Sequence, residues 1–241
     1  MGRRTLASLR AAIGAAAVLV VPADASADWA VTAFLGNVWT RSNVVHVVIP
    51  EAQTDLQIQP VQYGDESFRS PVYYGGRVSW TLPAVRHVAV EAEFIHMKML
   101  AEVDRSARVH GLWRGVILDE VMPVGTVVQR LAMSHGLNFI LANVAYRSNV
   151  HQRLVATART GVGATIPHVE TTFDGISHDR YAGGGLGAQA AGGVEAGLRS
   201  HVYAVAEYKF TWASPTIAAA SGTATVPARS HHLVGGVAYR F

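Results

Sequence analysis

The sequence predicts an all-β protein, an eight-stranded antiparallel transmembrane β-barrel with long extracellular loops and short periplasmic turns. Two observations point to it. Segments of about ten residues alternate between apolar and polar positions, which is the period of a strand whose two faces meet different surroundings. The connections between these segments alternate between long and short along the whole chain, as they do in bacterial outer-membrane barrels.

The composition excludes several other classes. Only 15% of the 241 residues are charged, which is too few for a disordered chain. The absence of cysteine excludes a disulfide framework and any cysteine-ligated metal site. After residue 28 no apolar run reaches the length of about 18 residues that a membrane-spanning helix needs.

The first 27 residues have the pattern of a secretory signal peptide. Arg3, Arg4 and Arg10 form its positive region, residues 11–21 form its apolar region, and small residues precede a cleavage site after Ala27. The alternative is an amino-terminal membrane anchor. Removing residues 1–27 would leave a barrel domain of residues 28–241 with 17 basic and 16 acidic side chains. Near neutrality argues against a nucleic-acid partner.

Eight segments justify the strand count. They cover residues 29–40, 73–82, 88–99, 137–147, 154–166, 186–198, 201–212 and 232–241. The long connections are 41–72, 100–136, 167–184 and 213–230, and the short ones are 83–87, 148–153 and 199–200. Within the last long connection, the low complexity of residues 216–229 predicts an irregular outer loop.

Charged residues of the strands fall on one face, with four positive and four negative side chains. They are Arg77, Glu91, Glu93, Arg159, Glu195, Glu207, Lys209 and Arg240. A barrel of eight strands has room inside only for side chains, and charges buried there must be paired. We therefore expect a lumen plugged by ion pairs, with an apolar face toward lipid.

Aromatic residues near the strand ends support a membrane boundary on the apolar face. They include Tyr74, Trp80, Tyr208, Phe210, Trp212, Tyr239 and Phe241. The last strand, LVGGVAYRF, ends in Phe241 with Tyr239 and Val237 at the alternate positions before it. This pattern resembles the carboxy-terminal signal through which outer-membrane barrels are recognised by the barrel assembly machinery, which would be a partner of this chain.

At the level of the barrel, the chain resembles the eight-stranded OmpA and opacity-like proteins of Gram-negative outer membranes. A narrower resemblance rests on an ordered set of short motifs: YYGGR (73–77), EFIHMK (93–98), SHGLN (134–138), NVAYR (143–147), GVGATIPHVE (161–170), EYKFT (207–211) and the final YRF. This series is similar to outer-membrane proteins known as lipid A oxidases. The resemblance implies a monomer that uses dioxygen to convert the proximal glucosamine of lipid A to 2-aminogluconate at the outer leaflet, so that lipopolysaccharide and outer-membrane lipid would be its partners.

Five residues of these motifs converge on the outer rim in the predicted topology. His96 and Lys98 end the third strand, His135 begins the fourth, and His168 and Glu170 follow the fifth. Imidazole and carboxylate groups are ligand types for a divalent metal, so His96, His135, His168 and Glu170 form a candidate metal site. They could instead serve as general bases, with Lys98 stabilising an oxyanion or a lipid phosphate.

Other interpretations remain open at this stage. Rim histidines and lysines could simply bind lipopolysaccharide phosphates, as in a non-catalytic OmpA-like barrel, and a small-solute channel is a further alternative. Ser134 beside His135 leaves room for a deacylase, although neighbours on a strand point to opposite faces. The glycine-rich stretches lack a strand-to-helix context, so no nucleotide cofactor is expected.

Overall fold

The computed structural model describes residues 29–241, so the predicted signal peptide, residues 1–27, lies outside the described residues. Sixteen strands follow one another, interrupted by 3-10 turns at Pro50–Ala52 and Val124–Thr126. They are β1 (Trp29–Thr40), β2 (Asn43–Ile49), β3 (Thr54–Val61), β4 (Tyr63–Gly64), β5 (Tyr74–Thr81), β6 (Val88–Ala101), β7 (Ser106–Trp113), β8 (Val116–Pro123), β9 (Val128–His151), β10 (Leu154–Phe173), β11 (Ile176–Tyr181), β12 (Leu186–Gly197), β13 (Val202–Ala213), β14 (Thr216–Ala219), β15 (Gly222–Thr225) and β16 (Ala228–Arg240). Among residues 29–241, no helix is long and apolar enough to cross a membrane.

Eight of these strands close into an antiparallel barrel in the order β1, β5, β6, β9, β10, β12, β13 and β16, and β16 returns to pair with β1. The predicted fold class and strand count are therefore confirmed. Closure leaves no unpaired strand edge, which is the condition for a sheet to cross lipid. β9 and β10 run for 24 and 20 residues, so they continue well beyond the barrel wall.

The alternation in the sequence becomes the two faces of the wall. Outward positions carry exposed apolar side chains, among them Val31, Leu35, Val78, Ile140, Val144, Val162, Leu233 and Val237. Seven of the eight charged residues assigned to the lumen are buried as a whole, and Arg240 is partly buried. Exposed apolar positions outside and charges inside are the arrangement that a bilayer requires.

The lumen is filled by a network of ion pairs. Arg77 lies 3.3 Å from Glu207 and 3.6 Å from Glu93, and Lys209 lies 2.7 Å from Glu207 and also contacts Glu93. Arg159 lies 3.0 Å from Glu91. A ninth charge, Arg147, joins the network at 3.5 Å from Glu91; its inward face could not be assigned from the sequence because residues 137–147 are apolar almost throughout.

Three of the long connections build a second sheet above the barrel, in the order β14, β15, β2, β3, β7 and β8. We call this sheet and its core the outer cap. Its apolar residues pack together and include Val45, Val47, Ile49, Leu56, Ile58, Val109, Ile217 and Val226. The expectation of an irregular loop at 216–229 was wrong: these residues form the β14–β15 hairpin and the start of β16, because β15 pairs with β2 and the alternate side chains Ile217, Ala219, Ala224 and Val226 are buried.

Candidate functional site

The predicted site residues lie on the outward face of the barrel wall, where β6, β9 and β10 leave the membrane. His96 on β6 and Asn138 on β9 share their face with Ile140, which is exposed toward lipid. The inward neighbours of these residues, such as Leu137 and Phe139, are buried in the core. The site therefore opens on the outward face of the barrel wall and not toward the lumen.

His96 is buried within this wall by three contacts. Its ring stacks on Tyr74 at 4.8 Å between centroids, and its Nδ1 atom lies 2.8 Å from Asn138 Oδ1. Gly136 has a φ of +108°, and a Cβ there would lie 2.5 Å from the His96 ring, so only glycine permits this packing. The opposite ring nitrogen of His96, Nε2, is buried and has no hydrogen-bond partner among residues 29–241.

A β-bulge in β9 brings further residues to the same face. Leu137 pairs with Pro167 and Ala132 pairs with Glu170, so β9 has two more residues than β10 between these pairs. The extra length lies around Ser134 and His135. Bulges redirect side chains in this way and are common beside functional sites.

His135, His168 and Glu170 form a cluster at this bulge. The Nδ1 atom of His135 lies 3.3 Å from Glu170 Oε1, and the Nδ1 atom of His168 lies 3.8 Å from the same oxygen. One ligand atom from each residue lies within 4.8 Å of the others. Among the described residues this is the group of three whose ligand atoms are near enough to share a metal ion, and His96 is not part of it.

Polar neighbours orient the cluster. Arg130 donates to Glu170 Oε2 at 3.0 Å, and His168 Nε2 lies 3.3 Å from Asp179 Oδ1. Ser134 donates to Glu170 and lies 3.1 Å from His135 Nδ1. Although partial burial raises the pKa of Glu170, the hydrogen bonds from Ser134 and Arg130 outweigh it and hold that pKa below its usual value.

Ser134, His135 and Glu170 do not form the relay of a serine hydrolase. In such a relay the base uses one ring nitrogen for the nucleophile and the other for the carboxylate. Here Ser134 and Glu170 both approach Nδ1 of His135. The bulge does bring Ser134 and His135 together, contrary to the expectation that neighbours on a regular strand point apart.

A pocket of about 320 Å³ joins His96 to the cluster. It is lined by Pro71, Tyr74, Phe94, His96, His135, Asn138, Ile166 and Tyr181. Tyr181 packs its ring against His168 at 4.5 Å, so His168 lies just behind the pocket wall, while His135 is part of that wall. Apolar and aromatic walls with a few polar groups at one end suit an amphipathic ligand.

Lys98 lies apart from this pocket. Its buried ammonium group donates to the backbone carbonyl of Arg69 at 2.9 Å and lies 3.8 Å from Glu66. Two histidines of β16, His231 and His232, do not join the cluster. His232 points into the protein, where it contacts Tyr73 and Thr211, and His231 contacts Tyr208.

Sequence reasoning missed several residues that orient the site, chiefly Arg130, Asp179 and Tyr181. Asp179 and Tyr181 lie on β11, which pairs with β10 so that Glu170 is opposite Asp179 and His168 is opposite Tyr181. The turn residues Asp174 and Gly175 between two strand-forming runs were the available signal for this hairpin.

No protein-family model and no curated protein matches the chain. The structure is similar to the outer membrane protein OprG from Pseudomonas aeruginosa, with 10% identity and a TM-score of 0.50, over 89% of this chain and 96% of that one. It is also similar to Neisserial surface protein A (10% identity, TM-score 0.47, 88% and 97% covered) and to outer membrane protein AlkL (13% identity, TM-score 0.44, 92% and 95% covered). At these identities the likeness shows the fold alone, and that fold is the closed eight-stranded barrel. The chain therefore has the fold of the eight-stranded outer-membrane β-barrels and belongs in a Gram-negative outer membrane.

Proposed function

We propose that this barrel is a lipid A oxidase, which converts the proximal glucosamine of lipid A to 2-aminogluconate with dioxygen. The observation that carries the proposal is the direction in which the site opens. His96 lines a pocket on the outward face of the barrel wall, with His135, His168 and Glu170 beside it, at the end of the barrel that we expect at the outer leaflet, where a lipid A sugar lies.

The pocket suits a lipid whose sugar is held beside its acyl chains. Tyr74, Phe94 and Ile166 provide apolar walls continuous with the lipid-facing belt, and His96, His135 and Asn138 provide polar groups. Arg130 and Arg69 lie near this end of the barrel with exposed side chains that can pair with lipid phosphates.

The reaction balances with dioxygen as the oxidant. The hemiacetal carbon C1 of the sugar loses its hydrogen and its hydroxyl proton together with two electrons, which gives a lactone. Dioxygen takes up the two electrons and two protons and becomes hydrogen peroxide. Water then opens the lactone to the acid, so the substrate must carry a free hydroxyl group at C1.

His96 is the residue that we assign as general base. Its Nε2 atom is buried without a partner, and its ring is held by Asn138 and Tyr74 so that it lines the pocket. A base held in this way can accept the C1 hydroxyl proton. Lys98 has a positioning role, since it fixes the backbone at Arg69 instead of entering the pocket.

The test is mass spectrometry of lipid A from a Gram-negative host whose lipid A has a free C1 hydroxyl, with and without this protein and with and without oxygen. We expect lipid A to gain the mass of one oxygen atom only when both are present, with the label arriving from ¹⁸O-water and not from ¹⁸O₂. His96→Gln should abolish the change, whereas His46→Gln, in the outer cap, should not.

Unchanged lipid A in the presence of a correctly folded wild-type barrel would exclude the proposal. The protein would then be a non-catalytic barrel that binds lipopolysaccharide.

A further inference from the structure

Three side chains of the cluster each direct one potential ligand atom toward a common point. Nδ1 of His168 is buried and has no hydrogen-bond partner, and Nδ1 of His135 and Oε1 of Glu170 approach it. Ligands that share an ion at about 2.1 Å lie roughly 3 Å apart. Glu170 Oε1 lies 3.3 Å from His135 Nδ1 and 3.8 Å from His168 Nδ1, so small side-chain rotations would bring the three atoms to that spacing.

The second atom of each of two ligands is already held by another residue. His168 Nε2 lies 3.3 Å from Asp179 Oδ1, and a proton on Nε2 that faces this carboxylate would leave Nδ1 free for a metal. Glu170 offers Oε2 to Arg130, which leaves Oε1 directed at the histidines. Contacts to the second atom of a ligand orient the ligands of metal sites, whereas an ordinary surface ion pair forms without them.

The cluster leaves room for exchangeable ligands. The three protein ligands come from β9 and β10, on one side of the cluster. The hydroxyl group of Ser134 and the pocket that contains His96 lie on its other side. A closed structural site would have a fourth protein ligand. Ser134 contacts both Glu170 and His135, so it must rotate away or act as a further ligand when an ion binds.

We infer that His135, His168 and Glu170 bind one ferrous ion at the outer-leaflet face of the barrel, as a two-histidine, one-carboxylate site with open positions. This donor set with open positions is the one that non-haem iron enzymes use for dioxygen chemistry. The choice of iron over a redox-inert ion rests on the proposed oxidation, whereas the ligand set rests on geometry alone. The metal would supply the site at which dioxygen receives electrons from the lipid A sugar.

The test uses the full-length mature barrel in detergent micelles without oxygen and with Fe²⁺ alone. Bound iron per chain is measured after gel filtration, and nitric oxide is then added to look for the electron paramagnetic resonance signal of a ferrous nitrosyl with an open position. We expect one iron per chain and this signal. His135→Ala, His168→Ala and Glu170→Ala should each weaken binding at least tenfold.

His178→Ala is the matched control. His178 lies on the same β10–β11 hairpin but contacts the backbone carbonyl of Ala220. The His178→Ala variant should bind iron as the wild type does. Heat-modifiable migration on gels establishes that each variant is folded, and His168→Gln replaces any alanine variant that is not.

The outcomes separate this inference from the proposed function. Equal iron binding by wild type and the ligand variants, or no nitrosyl signal, overturns the iron site. Oxidation of lipid A by iron-free protein overturns the role of iron in the reaction while the proposed function stands. Iron binding with the expected variant pattern but unchanged lipid A supports the site and excludes the function.

Discussion

His168 and Asp179 face each other across the β10–β11 hairpin, with Nε2 of the histidine 3.3 Å from Oδ1 of the carboxylate. Nδ1 of the same ring lies 3.8 Å from Glu170 Oε1, so we expect Asp179 to orient the ring toward the cluster. We predict that Asp179→Asn weakens Fe²⁺ binding by about tenfold, the lower end for such outer contacts, because Asp179 is largely exposed. Metal titration measures the effect. Asp119→Asn, an exposed carboxylate of the outer cap, should have none, and equal affinities for all three proteins would contradict the orienting role.

The bulge in β9 depends on Gly136. Ala at this position would bring its Cβ within 2.5 Å of the His96 ring and 2.7 Å of Asn138 Oδ1, in addition to the strain of a φ of +108°. We predict that Gly136→Ala gives a folded barrel in which iron binding falls at least tenfold and lipid A oxidation is lost.

Gly175→Ala provides the comparison for this prediction. Gly175 also has a positive φ, +78°, but a Cβ there meets nothing within 4 Å. Both variants carry a backbone cost of about 1 kcal/mol, and only Gly136→Ala carries the clash. If the two variants lose binding equally, backbone strain and not the His96 contact explains the result.

The sequence was sufficient for the barrel and insufficient for the site, for a physical reason. In a membrane barrel each strand position faces either lipid or the lumen. The alternation of successive residues along a strand therefore assigns Glu91, Glu93 and Arg159 correctly to the lumen. The cap strands β2 and β3 follow the same rule, since Val45, Val47 and Ile49 alternate, but they lie in the long connection 41–72, which the sequence predicts to be a loop. The site depends on a bulge, and a bulge shifts side chains by an amount that alternation alone does not reveal.

The ion pair between Glu93 and Lys209 stabilises the lumen. Both side chains are fully buried, and Glu93 also accepts a hydrogen bond from Asn143 at 2.8 Å. Removing one partner of a buried pair costs about 3–5 kcal/mol. Because Glu207 also contacts Lys209, we predict about 3 kcal/mol for Glu93→Gln, measured by urea unfolding in detergent. Glu93→Gln with Lys209→Met should recover part of the loss, whereas Glu120→Gln in the exposed strand β8 should cost nothing measurable. A double variant less stable than the single one would refute the pairing.

A plugged lumen should not conduct ions. The network of Arg77, Arg159 and Lys209 with the lumen glutamates fills the barrel, and Phe34 packs against Lys209 above it. We predict no resolved single-channel openings for the wild type in planar bilayers. Truncating Arg77, Glu93 and Lys209 together to alanine should produce conductance if the variant folds. Steady openings of the wild type would favour the channel alternative.

Ionisation of Tyr63 is expected to lower the stability of the protein at alkaline pH. Its hydroxyl group donates to Asn43 at 2.9 Å, and burial raises the pKa of Tyr63 well above its usual value near 10. The folded phenol therefore stays neutral at pH values where the unfolded one ionises. Its contribution to the free energy of unfolding is fully present below pH 10 and decreases above it, by up to about 1.4 kcal/mol per pH unit.

Urea unfolding at pH 8 to 11.5 measures this effect. The Tyr63→Phe variant should lose stability less steeply with pH than the wild type, while Tyr146→Phe, with an exposed ring on the barrel wall, should match the wild type. Parallel pH profiles for all three would show that Tyr63 ionises alike in both states.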